Sequence, residues 1–254
     1  AVSVLFLEFT PVRQRLLNRR GSALQQVAQD YPRDANVLVL FAEALMNLQP
    51  WDYWEADGTT PKGRGREIAV SLKQALELDP DHAGAAHLFI HAVEASTTPE
   101  RAEPAADRLL KLMPGAGHIV HMPSHIYYRV GRYADAAAAN EAAALVDENY
   151  IATCRAQGFY PAGYYGHNIH FLWTSAEMEG RYQAAIDAAR RLVKAVDAEN
   201  LSRQMAFAEL YNLTPVVTLL RFGKYPEILA EPAPHESLTL DTAMWLYAQA
   251  FAHA

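Results

Sequence analysis

The chain of 254 residues has one cysteine, Cys154. That excludes an internal disulfide and any metal site built from thiolates alone. Dense positive charge is missing as well: 22 lysines and arginines stand against 29 acidic residues, a formal net charge of −7. Nucleic acid is therefore not an expected partner, because phosphate binding needs a clustered basic surface. The only basic run, RQRLLNRR at residues 13–20, reads as a solvated helix face. Long hydrophobic runs are missing too. The opening AVSVLFLEF is too short to span a bilayer and has no leading basic segment, so it reads neither as a membrane span nor as a signal peptide. Such a start is expected of a chain that begins inside a longer protein. Strand signals are almost absent, while just over half of the residues are apolar and a fifth are charged, the composition of a folded helical protein.

What the sequence has in quantity is helix, turn and helix again. Alanine-rich stretches such as Ala134 to Leu145 favour helix strongly and let neighbouring helices approach closely. Gly131, Gly180 and Gly223 each follow an apolar helical pattern, where a left-handed cap is expected. Pro32, Pro80 and Pro114 punctuate the next boundaries. The segments ALELDPDHAGA (Ala75 to Ala85), GRYADAAAA (Gly131 to Ala139), GRYQAAIDAA (Gly180 to Ala189) and RFGKYPEIL (Arg221 to Leu229) share these features. Together they resemble the tetratricopeptide (TPR) repeat family, from about residue 20 to the C-terminus. The resemblance implies an all-α fold: a TPR-like right-handed helical solenoid of antiparallel helix pairs, one domain over residues 1–254. Two stretches break the period, QPWDYWEADGTTPKG at 49–63 and IATCRAQGFYPAGYY at 151–165. Both are rich in aromatics, glycine or proline and are expected to be loops, of a length that often forms lids or rims.

Seven histidines fall into three short stretches, HLFIH, HIVHMPSH and HNIH. If the glycine of GRY is position 15 of a 34-residue repeat, the first helices of successive repeats stack. Position 2 then reads Asn36, Gly84, His118 and His167. Position 5 reads Val39, His87, His121 and His170. Position 9 reads Glu43, His91, His125 and Thr174, and position 12 reads Met46, Glu94, Tyr128 and Glu177. These positions share one helix face, and in the TPR family, the resemblance implies, that face lines a concave groove. His87, His91, His118, His121, His125, His167 and His170 are therefore expected to converge as ligands of a transition metal ion. Imidazole ligation suits Zn, Cu, Fe or Ni. The HExxH spacing of zinc proteases is not present.

A lone helical histidine is more often a packed, hydrogen-bonded residue than a ligand, but without a shared role seven of them would have to fall on one stripe by chance. His82, His235 and His253 lie outside the lattice and read as ordinary. Glu94, three residues after His91, is a candidate ligand, a partner orienting an imidazole, or a general base. Glu43 is a second candidate of that kind, and Tyr128 is a candidate to donate a proton or orient a substrate. Trp51, Tyr53, Trp54, Tyr160, Tyr164 and Tyr165 either roof the groove or anchor the insertions. Asn168 falls off the stripe and reads as structural. Pro123, inside HIVHMPSH, delays or kinks its helix.

The stretches LFIHAVEAS, GHIVHMPSHIYYRVGRY and YYGHNIHFL also resemble a group of histidine-rich bacterial TPR-containing proteins, a resemblance that supports the fold and supplies no reaction. The expected ligand is a small molecule or a peptide in the groove. One reading is a metal-dependent enzyme acting on a small molecule. The others are a peptide- or protein-binding scaffold and a metal carrier without catalysis. TPR peptide clamps, the resemblance implies, use Asn, Lys and Arg where this chain has His and Glu, which weakens the scaffold reading. Leu210, Leu213 and Val217 occupy the equivalent positions in the last repeat, so the polar cluster is central, as a discrete site would be.

Overall fold

Helix follows helix along the described chain. The computed structural model describes residues 11–156, 159–195 and 208–254; among them there is no strand, only an isolated bridge between Trp54 and Pro61. The all-α expectation holds. No helix of the described residues is long and apolar enough to cross a membrane; the opening AVSVLFLEF lies outside them. The chain divides into two compact units, one ending at Met113 and one beginning at Pro114.

The first unit contains α1 (Pro11–Asp30), α2 (Ala35–Leu48), α3 (Gly65–Leu78), α4 (Ala83–Val93) and α5 (Glu103–Leu112). Each helix packs on the next. Leu45, Ile68, Leu72 and Ile90 are fully buried between them, and each such side chain contributes about 1.5–3 kcal/mol by leaving water. Local chemistry sets the starts. Asp34 Oδ1 accepts from the backbone N–H of Asn36 at 2.9 Å and Val37 at 3.2 Å, capping α2. His82 does the same for α4, its Nδ1 accepting from Ala85 N–H at 3.1 Å, so this histidine is a cap.

The second unit holds α6 (Gly117–His121), α7 (Pro123–Arg129), α8 (Tyr133–Cys154), α9 (Gly166–Met178), α10 (Tyr182–Ala195), α11 (Ala208–Asn212), α12 (Thr214–Arg221), α13 (Tyr225–Ala230) and α14 (Thr239–His253). The three GRY-type turns are built alike. Gly131, Gly180 and Gly223 have φ of 82°, 71° and 62°. The next residue's N–H returns to a carbonyl five residues back: Arg132 to Tyr127 at 2.8 Å, Arg181 to Ala176 at 3.0 Å and Lys224 to Leu219 at 2.9 Å. This is the left-handed helix stop that the glycine positions predicted. Pro123 divides what would be one helix into α6 and α7 at Met122, as a residue without an N–H must. Alanines make close packing possible: Ala137, Ala144, Ile169, Leu172, Ala188 and Leu192 form one buried cluster across α8, α9 and α10.

The insertions differ from each other. Residues 49–63 are the expected loop. The stretch 151–165 is largely helical, against expectation: α8 runs on to Cys154, Arg155 takes a left-handed φ of 50°, and Tyr160–Tyr165 form a wide π-helical turn leading into α9. Residues 157 and 158 lie outside the described residues. The physical reason is side-chain anchoring that the local sequence does not display. Tyr160 Oη donates to Asp147 at 2.8 Å and Tyr165 Oη to Glu148 at 2.6 Å, tying the turn back onto α8.

Candidate metal centre

The candidate centre is anchored on α8. Its buried stripe is Ala136, Ala137, Asn140, Ala143, Ala144 and Asp147. Asn140 and Asp147 are fully buried polar residues on a face otherwise made of alanine. Each therefore needs partners. Asn140 Nδ2 donates to the Ala136 carbonyl at 2.7 Å, which fixes the amide and turns its Oδ1 outward. His121, also fully buried at the end of α6, meets that oxygen with Nδ1 at 2.6 Å. An amide oxygen only accepts, so His121 carries its proton on Nδ1 and presents the Nε2 lone pair. Ser124 Oγ lies 3.3 Å from the same Nδ1.

The Nε2 of His121 lies 2.9 Å from His125 Nε2 across the Pro123 break. The tautomer of His121 makes His125 the donor of this hydrogen bond. His167, from the first turn of α9, brings a third imidazole: its ring lies 4.7 Å from that of His121 and 5.6 Å from that of His125. One ligand atom from each of His121, His125 and His167 falls within 4.8 Å of the others. Imidazoles at 2.0–2.1 Å from a tetrahedral zinc ion have nitrogens about 3.3 Å apart, so sub-ångström to ångström side-chain shifts separate this group from a metal-ready one. Phe171 walls it, within 5.1 Å of all three rings. Burial and the neighbouring His167 and His125 push the His121 imidazole well below its ordinary value, against the pull of Asn140. It is neutral at neutral pH, the form that ligates.

Asp147 braces the surroundings. It accepts from Tyr160 Oη and, at 2.7 Å, from Asn168 Nδ2, the neighbour of His167. Its carboxylate lies so close to Gly117, the neighbour of His118, that a β-carbon there would collide with it. Asn168 is thus structural, as its place off the stripe suggested. His118 stacks at 6.0 Å from His121 and meets Tyr164 edge-on at 5.1 Å. The Tyr164 hydroxyl is buried with no hydrogen-bond partner among the described residues.

His170 stands apart from the three-nitrogen group. Its ring lies against Trp173 at 5.1 Å and Tyr211 at 5.3 Å, where burial pushes it down to about 4. The lattice paired equal repeat positions, but the helices pack with an offset of about one turn. Positions 5 and 9, His121 and His125, meet position 2 of the next helix, His167. Position 12, Tyr128, meets position 9, its Oη lying 3.0 Å from Thr174 Oγ1. Glu177 is buried and accepts from Thr218 Oγ1 at 2.9 Å, its carboxyl raised by burial.

In the first unit, His87 and His91 face each other on α4 with rings 5.0 Å apart. His91 Nδ1 lies 2.8 Å from Glu94 Oε1, so Glu94 orients this imidazole. Trp51 packs edge-on against His91 at 4.8 Å. Glu43 pairs with Arg20 at 3.6 Å. Of the six loop aromatics, Trp51 and Tyr164 touch histidines. Tyr53 is buried, and Trp54, Tyr160 and Tyr165 anchor their segments through hydrogen bonds.

No family model matches the chain, and no curated protein matches it. Sequence reasoning missed Asn140, Asp147 and Phe171. The first two had a signal: polar residues seven apart on an alanine stripe share its buried face.

Proposed function

We propose that the chain is a TPR-type helical-repeat protein whose second unit holds a transition metal ion, of the class Zn, Cu, Fe or Ni, on His121, His125 and His167, and that it acts as a metal-dependent enzyme on a small molecule. One observation carries the reading. A fully buried imidazole has its Nδ1 proton committed to a rigidly held amide, so its Nε2 lone pair points at two further imidazoles. A histidine locked by a hydrogen bond through its other nitrogen is the usual arrangement around metals. The TPR assignment is supported by the three identical glycine turns.

Three protein ligands leave a coordination position for a substrate or water, as catalytic sites require and closed structural sites do not. When bound, such an ion supplies Lewis acidity or redox chemistry. The protein's own part is to exclude water with Phe171, to keep His121 in one tautomer, and to offer the Tyr164 hydroxyl as a buried hydrogen-bonding group beside His118.

The test is metal content by inductively coupled plasma mass spectrometry, on protein purified without a histidine tag. A near-stoichiometric transition metal in the native chain, lost from His121→Ala and from His167→Ala, is the expected result. Protein that stays metal-free after reconstitution with each of the four metals overturns the reading.

A further inference from the structure

The insertion at 49–63 also shapes a pocket within the first unit. Its Trp54 is fixed by donating Nε1–H to the Ala92 carbonyl at 2.8 Å. Its Gly58, at φ 65°, offers a carbonyl to Thr97 N–H at 2.9 Å. The insertion is thereby pinned to the end of α4, and with α3 and the short 3-10 turn Pro99–Ala102 it encloses a half-open pocket of about 330 Å³. Trp54, Thr59, Arg66, Val70, Thr98 and Arg101 are among the lining residues, and no acidic residue is.

Two guanidiniums in one pocket without a carboxylate are notable in a chain with seven more acids than bases. Arg101 is held in place: Nε donates to the Thr98 carbonyl at 3.1 Å and the guanidinium lies over Trp54 at 5.5 Å. That leaves its terminal Nη donors uncommitted among the described residues. The Arg66 side chain is exposed and makes no hydrogen bond or ion pair with any described residue. A planar fork of donors matches carboxylate and phosphate oxygens bidentately. Thr59 and Thr98 add hydroxyls, while Pro61, Ala69 and Val70 supply an apolar wall. The volume is at the lower end of small-molecule sites.

We propose that this pocket binds a small organic oxyanion, a carboxylate or phosphate group carried on an apolar body, with Arg66 and Arg101 gripping the anion and Trp54, Pro61 and Val70 covering the rest. The arrangement belongs to the first unit alone and is independent of metal loading.

The experiment is isothermal titration at low salt with benzoate, phenyl phosphate and inorganic phosphate, on native protein with and without a chelator. Benzoate or phenyl phosphate is expected to bind with Kd of about 1 mM or tighter, equally in both preparations, and to distinguish the two anion types. Inorganic phosphate is expected to bind about tenfold more weakly, lacking an apolar body. Arg66→Gln is expected to weaken binding by about tenfold or more. Because the Arg66 side chain has no partner among the described residues, the melting curve of the variant should match that of the native chain. Absence of binding by all three probes, equal binding by inorganic phosphate, or unchanged affinity in Arg66→Gln each overturns the proposal.

Discussion

The sharpest test of the proposed metal centre acts on a residue that is not one of its proposed ligands. Asn140 does two separable things: its Oδ1 accepts from His121 Nδ1, and its Nδ2 donates to Ala136. Asn140→Leu removes both at similar volume. The His121 Nδ1–H is then buried without its acceptor, which costs about 1–3 kcal/mol. The imidazole recovers part of that by moving its proton to Nε2, the atom proposed to ligate. Metal affinity is therefore expected to fall by about 10–100-fold, the usual effect of removing the group that orients a ligand. Asn140→Asp keeps the acceptor and makes it a stronger one, but sets a carboxylate oxygen against the Ala136 carbonyl. It is expected to lose stability by a similar ~1–3 kcal/mol and to keep metal affinity at or above the native value. Competition against a chromophoric zinc chelator at pH 7.5 reads affinity, and thermal denaturation followed by circular dichroism reads stability. Stability falls in both variants and affinity in one. Equal zinc affinity in Asn140→Leu and the native chain, or parallel affinity losses in the two variants, refutes the reasoning.

Four further outcomes are expected. His170 titrates near 4 in the folded chain against an ordinary 6.5, so its contribution to stability is full above about 6.5 and is lost as pH falls toward 4; His170→Phe, which keeps the stack on Trp173 and Tyr211, should show a smaller drop in melting temperature from pH 7 to pH 4.5 than the native chain. Asp241 goes the other way: burial first, then nearby Glu209, raise it to about 6 from 3.8 against the bond from Asn212, so stability is full below about 3.8 and lost as pH rises through 6, and Asp241→Asn should melt higher than the native chain at pH 8 with no advantage at pH 3.5. Gly131→Ala places a side chain at φ 82° with open space around the β-carbon, so urea denaturation should show only the left-handed backbone cost of about 1–2 kcal/mol. Gly117→Ala drives a β-carbon into the Asp147 carboxylate, which Tyr160 and Asn168 hold in place; a stability loss of about 1–3 kcal/mol should come with weaker zinc binding in the chelator competition, because Asn168 adjoins His167.

The helices and their stops were legible because they are written in local chemistry. A glycine after an apolar helical run, followed by a residue that returns its N–H to the helix, is a short-range device, and Gly131, Gly180 and Gly223 all use it. Asp34 and Pro123 are equally local. The stretch 151–165 was misread for the opposite reason. Glycine, proline and aromatics there carry the composition of a loop, but Tyr160 and Tyr165 bond to Asp147 and Glu148, 13 and 17 residues back. A tertiary hydrogen bond outweighs a local tendency of a few tenths of a kcal/mol, and nothing within the stretch announces it.

The candidate site was legible as a residue set and not as a geometry. Helical periodicity puts positions 2, 5, 9 and 12 on one face, which is a statement about a single helix. How that face aligns with the next helix depends on the height at which two helices lock together. In the second unit that height is set by side chains the periodicity does not single out: Asn168 reaching Asp147, and small alanines letting α8 and α9 approach. The resulting one-turn offset brings His167 to His121 and His125 and carries His170 away to Trp173 and Tyr211. The same offset explains why Tyr128 meets Thr174. Asn140 follows from a different rule that a sequence does show. A buried alanine face tolerates an amide only if something polar comes to meet it. What came to meet Asn140 is His121, and that pairing selects the tautomer on which the proposed metal binding depends.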